Sequence, residues 1–179
     1  DFTTWLRHRW FTLLPKQSVP TVLDAGAMYL AGRLQQPTVI TPHSGELSRL
    51  LKDKGVDVTS EAIEGNPKKW AVIASEKLDV VVLLKGSHTV VADGDQLIEL
   101  PISTPWLATA GSGDVLSGIL GALVATNYIE ILNERFRLAE VSASAAFIHN
   151  SAALLASRDA PISATKIIEF IPDAIRKII

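Results

Sequence analysis

Five aliphatic residues in a row, Val80-Val81-Val82-Leu83-Leu84, stop at Lys85-Gly86. A run that short and uninterrupted has no polar face, so as a strand it must be covered on both sides. A largely parallel sheet between two layers of helices provides that cover. The flanking sequence supplies matching elements. Its patterning predicts strands at residues 21–23, 38–41 and 79–84, helices at 25–34, 45–51 and 67–78, and a loop over 52–60. Ser44 is the expected N-cap of the 45–51 helix, its hydroxyl meeting an open amide. Pro67 suits a first helical position, where a missing N–H costs nothing.

After the central strand, residues 88–92 and 96–100 flank Asp93-Gly94-Asp95. This reads as a hairpin with Gly94 supplying a positive φ, an antiparallel addition at or beyond one sheet edge. A long helix is expected after Gly111-Ser112-Gly113-Asp114, a second over 138–157, and a last one from about Ser163 to the end. The Ala and Ser content of the second implies close packing on a neighbour. A short helix over 3–14, stopped by Pro15, completes one α/β domain spanning residues 1–179.

The charge balance narrows the function. Seventeen basic and 19 acidic residues give a net charge of −2 with no basic block, which argues against broad nucleic-acid binding but not against a small anion. The absence of cysteine excludes disulfides, thiolate zinc sites and cysteine nucleophiles. The four histidines show no paired metal spacing. No run approaches the ~18 apolar residues of a membrane span. The expectation is a soluble protein of a reducing, cytoplasmic compartment, with no membrane partner.

Three segments can carry chemistry. Gly111-Ser112-Gly113 opens a helix, where free amides and the helix dipole favour an anion such as phosphate. Asp114 at that helix start can accept a proton from a substrate hydroxyl; it can equally be a plain helix-start carboxylate. The run is neither a P-loop nor the GxGxxG dinucleotide fingerprint. In Thr41-Pro42-His43-Ser44-Gly45-Glu46, His43 and Glu46 follow a strand, where parallel sheets place ligands. Glu46 can hold magnesium through water, or serve only as an acidic partner in a capping box. In Lys85-Gly86-Ser87-His88-Thr89, the lysine leaves a buried strand and can neutralise phosphate or simply point into water. His149 reads as a helix histidine satisfied within the fold, and Trp5, Trp10 and Trp70 as packing. Trp106, just before the glycine turn, can line a ring-shaped ligand.

Four motifs stand in order: Val22-Leu23-Asp24-Ala25, Thr41-Pro42-His43-Ser44-Gly45-Glu46, Val82-Leu83-Leu84-Lys85-Gly86-Ser87-His88-Thr89, and the run from Leu107 through Gly113-Asp114 to Gly118. Together they resemble the ribokinase-like superfamily, and within it the ADP/ATP-dependent NAD(P)H-hydrate dehydratases. The resemblance implies a three-layer ribokinase-like fold and repair of hydrated nicotinamide cofactors, NAD(P)HX. ADP or ATP would be the phosphoryl donor, with Mg2+. It implies that His43 contacts substrate. Lys85, Gly86, Ser87, His88 and Thr89 would wrap the nucleotide phosphates and ribose. Gly111, Ser112 and Gly113 would form the anion turn, and Asp114 would bind substrate at the catalytic centre. Glu46 would help order magnesium through water. A homo-oligomer, tetrameric in the family, and an epimerase partner or fused domain are implied as well.

There are four departures from the family pattern, and all but the first fall near the expected nucleotide or ring pocket. Gly26 stands where relatives often have a second acid, and Ala110-Gly111 where they carry a glycine pair. Ser103-Thr104-Pro105-Trp106-Leu107 replaces Gly-Asn-Pro-Gly-Met, and Asn150 replaces the glycine after the helix histidine. Two rival readings remain. One is a small-molecule kinase of the hydroxyethylthiazole or hydroxymethylpyrimidine type, disfavoured by His43 where such kinases more often carry asparagine. The other is a nucleotide-binding domain without catalysis. Family members have further strands and helices before the position of Val19, so a partial chain beginning at Asp1 is expected, with a largely intact nucleotide site and an incomplete substrate site.

Overall fold

The computed structural model describes residues 17–134 and 136–178. The expected 3–14 helix, Trp5 and Trp10 lie outside the described residues. Five strands form one sheet in the order β1 (Thr21–Leu23), β2 (Thr38–Ile40), β3 (Val81–Leu84), β4 (Val90–Asp93) and β5 (Gln96–Glu99). The first three run parallel, with Thr21 opposite Thr38 and Val39 opposite Val81. The β4–β5 hairpin then adds two antiparallel pairings, Leu84 opposite Val90 and Asp93 opposite Gln96. Gly94 takes φ +55 in its turn.

The aliphatic run behaves as its composition requires: every residue of β3 is buried. Val82 and Leu84 face one helical layer, packing with Leu47, Leu51, Ile63 and Leu78. These come from α1 (Ser44–Lys52), α2 (Ser60–Gly65) and α3 (Pro67–Leu78). Val81 and Leu83 face the other layer, with Leu116, Leu120, Leu138 and Ala145. That layer holds α4 (Ser112–Thr126), α5 (Tyr128–Asn133), α6 (Arg137–Ser157) and α7 (Ala164–Ile178). The result is helix, sheet, helix: three layers. At about 1.5–3 kcal/mol per buried Val or Leu, β3 alone contributes roughly 6–12 kcal/mol of gross apolar stabilisation. That is the scale of a whole domain's net stability, about 5–15 kcal/mol. Small buried residues on α6, among them Ala145, Ala146, Ala152 and Ala153, let the helices on either side come close.

Several local expectations are corrected. Residues 25–34 are not a helix: a 3-10 turn covers Ala25–Leu30 and stops there. Asp24 caps it through the Ala25 amide at 2.8 Å, and Ala25 takes φ +47, which a regular helix does not accommodate. Ser44 is not the N-cap of α1. His43 is, its Nδ1 accepting from the Gly45 amide at 3.1 Å, while Glu46 accepts from the His43 amide at 2.9 Å. This is a capping box with imidazole in the role usually taken by a hydroxyl. The Ser44 hydroxyl instead donates to Glu64 at 2.6 Å. The central strand starts at Val81 rather than at residue 79, because Asp79 ends α3 in the left-handed conformation, φ +51. The loop after α1 gives way to α2 at Ser60, an element, like α5, that the pattern did not announce. Among the described residues no helix is long and apolar enough to cross a membrane.

Candidate active site

The parallel strands all end on one side of the sheet, and their exits converge. Asp24 follows β1, Thr41-Pro42-His43 follows β2 and Lys85 follows β3. The last two segments remain laddered beyond the named strands. His43 bridges Lys85 in parallel, and the Lys85 amide donates to the Pro42 carbonyl at 2.8 Å. The second and third sequence motifs are thereby one local structure.

Helix α4 brings in the glycine turn. Its N-cap, Gly111, has φ +84, and a Cβ there would lie 3.1 Å from the Ala164 Cβ. Both facts demand glycine. The Ser112 amide is used by Thr109, at 3.2 Å, and the Ser112 hydroxyl donates to the Leu107 carbonyl at 2.7 Å. No side chain caps α4, and among the described hydrogen bonds the Gly113 and Asp114 amides have no acceptor. These are the open donors from which helix N-termini build anion sites. Asp114 is exposed at the same helix start.

Lys85 connects the strand ends to this turn. Its Nζ lies 3.4 Å from Asp24 Oδ1, and a Cβ on Gly113 would lie 3.5 Å from the same Nζ. The ammonium therefore sits over the first turn of α4. The Lys85 and Asp24 side chains are only 24% and 20% exposed, so solvent screens the pair less than a surface ion pair. Asp24 has a second anchor, accepting from the Ser117 hydroxyl of α4 at 2.6 Å. Burial pushes the Asp24 carboxyl upward most strongly. The hydroxyls of Ser117 and Thr41, the Lys85 ammonium and the Ala25 amide together outweigh it and hold the carboxyl below its ordinary value. Asp24 is thus an anion that joins β1, β3 and α4 at one point.

The remaining predicted residues surround this centre. Gly86, Ser87 and His88 are exposed beyond Lys85, and the Thr89 hydroxyl closes their turn by donating to the Gly86 carbonyl at 3.1 Å. A cleft of about 270 Å³ opens beside them, with Ser44, Glu64, Leu84, Lys85, Ser87 and His88 in its wall. His43 is exposed, with its Nε2 3.5 Å from Glu46 Oε2. Glu46 is therefore already engaged in the cap. Among the described residues there is no cluster of three metal-binding side chains. Trp106 is exposed in a 3-10 turn, Pro105–Leu107, held by the Thr104 hydroxyl.

Two participants had no assigned part in the sequence reading, Asp24 and Ser117, and a third residue, His149, departs from its expected one. The first closes a strand, a position where an acid is a useful signal. Ser117 looks like any small helix residue, and only the fold brings it to Asp24. His149 is buried on α6, but its Nε2 has no hydrogen-bond partner, contrary to the expectation of a satisfied histidine. Burial lowers its pKa to about 4; the Ser112 backbone opposes the shift and the Lys85 charge adds to it.

The fold that carries this site is shared with solved structures. A ribokinase-like superfamily protein from Enterococcus faecalis superposes with a TM-score of 0.67 at 24% identity, covering 87% of this chain and 52% of that one. This likeness shows a ribokinase-like fold. The family model described as NAD(P)H-hydrate dehydratase matches residues 6–173, and the chain belongs to that family. It is similar to the ADP/ATP-dependent NAD(P)H-hydrate dehydratase of Bacillus subtilis, co-crystallised with ATP/Mg2+. The TM-score is 0.76 and the identity 25%, over 95% of this chain and 59% of that one. The bifunctional NAD(P)H-hydrate repair enzyme Nnr of Corynebacterium glutamicum is 38% identical over 89% of this chain and 32% of its own length. The chain spans about a third of the length of the curated relatives it matches.

Proposed function

We propose that this chain carries the nucleotide-dependent dehydration of NAD(P)HX, returning NAD(P)H. The observation that supports it most is the juxtaposition at α4. The Lys85 ammonium, held by Asp24, faces the open amides of Gly113 and Asp114, with the Asp114 carboxylate on the same turn. This arrangement is suited to a phosphoryl group receiving a nucleophile. The substrate hydroxyl oxygen would attack the terminal phosphorus of ADP or ATP, its proton passing to Asp114, while the bond from that phosphorus to the bridging oxygen breaks and AMP or ADP leaves. Lys85 and the Gly111–Gly113 turn would hold the developing negative charge. In the phosphorylated hydrate, the ring nitrogen's lone pair would then expel phosphate, and loss of a proton from the neighbouring ring carbon to solvent would leave the dihydronicotinamide.

Gly86, Ser87, His88 and Thr89 would carry the nucleotide's phosphates and ribose, and His43 the substrate. Magnesium typically takes one or two carboxylates from a protein, with waters and phosphate oxygens completing its shell. Glu46 at the start of α1 fits that need through water, and the ion would supply positive charge to the phosphates. The name and greater length of the bifunctional relatives support a second, epimerase domain in the whole protein. An oligomeric assembly and a cytoplasmic setting belong to the same proposal. The test is an assay of hydrate with ADP or ATP in the wild type and in Asp114→Asn. Near-normal turnover in the variant would remove Asp114 from its role. A stable phosphorylated alcohol in place of free phosphate and NAD(P)H would make the protein a kinase.

A further inference from the structure

The segment from Pro101 to Leu107 touches both halves of the phosphoryl site and has no task in that chemistry. β5 ends at the same sheet edge as β3, because Leu84 is opposite Val90 and Val90 is opposite Glu99. The chain therefore leaves the sheet beside the strand exits. The Leu100 amide donates to the Thr89 carbonyl at 3.0 Å, where the 85–89 segment ends. At the other end, the Leu107 carbonyl accepts from the Ser112 hydroxyl of the glycine turn at 2.7 Å. Between these points α6 holds the segment. Asn150 Nδ2 donates to the Pro101 carbonyl at 3.5 Å, and the Ser103 hydroxyl donates to the Asn150 carbonyl at 3.3 Å.

This anchored span presents two large apolar side chains to solvent, Ile102 at 65% and Trp106 at 38% exposure. Among the described residues neither belongs to a hydrophobic cluster, whereas Leu107 packs with Ala152, Ala153 and Ile167. Trp70 shows what a packing tryptophan does in this protein. It lies against the core, with the Lys69 ammonium 5.0 Å from its ring centre. The described contacts of Trp106 run instead through its backbone. The buried Thr104 caps the turn, its hydroxyl accepting from the Trp106 amide at 3.3 Å and its carbonyl from the Leu107 amide at 3.2 Å. Pro105 fixes φ at the first position of that turn. An exposed indole on a backbone tied this firmly is preorganised for a flat ligand.

We propose that Trp106 is the platform on which the adenine ring of ADP or ATP stacks. The inference rests on the reading of Lys85 and the α4 turn as a phosphoryl site. Sheet order selects the ring. His43, the substrate residue of that reading, follows β2 on one side of Lys85. Thr89, Leu100 and the segment that carries Trp106 lie on the other side, past β3. Phosphates held between the 85–89 segment and the glycine turn have this segment at both ends, so the base of the donor meets it and the nicotinamide does not. Stacking needs only a π-face, so Trp106 supplies affinity without reading the base edge.

The experiment is calorimetric titration of ADP and of pyrophosphate, which lacks the base, into the protein and its Trp106→Leu and Trp106→Phe variants. Near-UV circular dichroism, tryptophan fluorescence during the ADP titration and the KM for NADHX are recorded for each. The expected result is that Trp106→Leu binds ADP about tenfold more weakly, with pyrophosphate binding and the KM for NADHX unchanged. Trp106→Phe, which keeps a π-face, should recover most of the ADP affinity. ADP should quench fluorescence in wild type and leave that of Trp106→Leu unaltered. Equal ADP affinity in Trp106→Leu and wild type overturns the proposal. So does an equal loss for ADP and pyrophosphate, or loss of the native dichroism in both variants, since either makes Trp106 a structural residue only. A raised KM for NADHX with ADP affinity intact overturns it in favour of the nicotinamide ring. Wild type that binds neither ADP nor ATP defeats the phosphoryl reading itself and this inference with it. Wild-type binding with an unaffected Leu variant defeats this inference alone.

Discussion

Mild acid should destabilise the fold through His149. Burial takes its pKa from 6.5 to about 4, so between those values the unfolded chain binds a proton that the folded chain refuses. Stability must then fall as pH decreases through that window. The maximum slope is one proton, about 1.4 kcal/mol per pH unit. Integrating the two titrations gives a loss of about 2 kcal/mol between pH 7 and 5, and about 3 kcal/mol by pH 4. Asp24 has the opposite charge type but the same sign of effect. Its carboxyl is lowered from 3.8, so its contribution is lost only below the window in which His149 acts. Urea unfolding at pH 7, 6 and 5, followed by tryptophan fluorescence, measures the effect. His149→Asn, which cannot titrate, should lose about 2 kcal/mol less than wild type over that range. His43 and His88 are present in both proteins, so their contributions cancel in the difference. Profiles that run parallel to within ~0.5 kcal/mol would refute the reasoning, because His149 would then titrate alike in both states.

Other outcomes follow from the same contacts. Gly111→Ala places a Cβ 3.1 Å from Ala164 on a backbone at φ +84; an urea midpoint corresponding to a loss of about 1–3 kcal/mol is expected. Asp24→Asn removes the charge that holds Lys85 and weakens the link to Ser117. ADP affinity should fall about tenfold, read by calorimetry, as the ammonium leaves its place over Gly113. Leu83→Ala, in the fully buried β3, should cost about 2–5 kcal/mol by urea titration with no effect on ADP affinity at pH 7.

Much of this molecule is legible from local pattern. Residues 80–84 announce a strand buried on both faces, and Val81 and Leu83 do face one layer while Val82 and Leu84 face the other. Pro67 marks the start of α3, and Gly94 the hairpin turn, because proline and glycine act through their own backbones. The glycine turn is legible for the same reason. What pattern misses depends on distant partners. Histidine has no strong capping preference, so the His43 cap emerges only once its ring meets the Gly45 amide. The 25–34 segment has helical composition, yet the anchoring of Asp24 to Ser117, 93 residues away, and the positive φ at Ala25 set a different path. Ser117 and His149 acquire meaning only when α4 and α6 are packed against the strand ends. Sequence separation, not chemistry, hides them.

On the proposed function, the turn at α4 and Lys85 together dehydrate a nicotinamide hydrate by way of a phosphoryl group. The most direct measurement incubates the protein with NADHX and either ADP or ATP. It follows dihydronicotinamide absorbance and free phosphate together, with Asp114→Asn in parallel. One phosphate should be released per NADH formed, with dependence on the nucleotide and a fall in turnover of about 10²–10⁴-fold in the variant. NADH formed without nucleotide, or a phosphorylated product that accumulates with no NADH, would contradict that function.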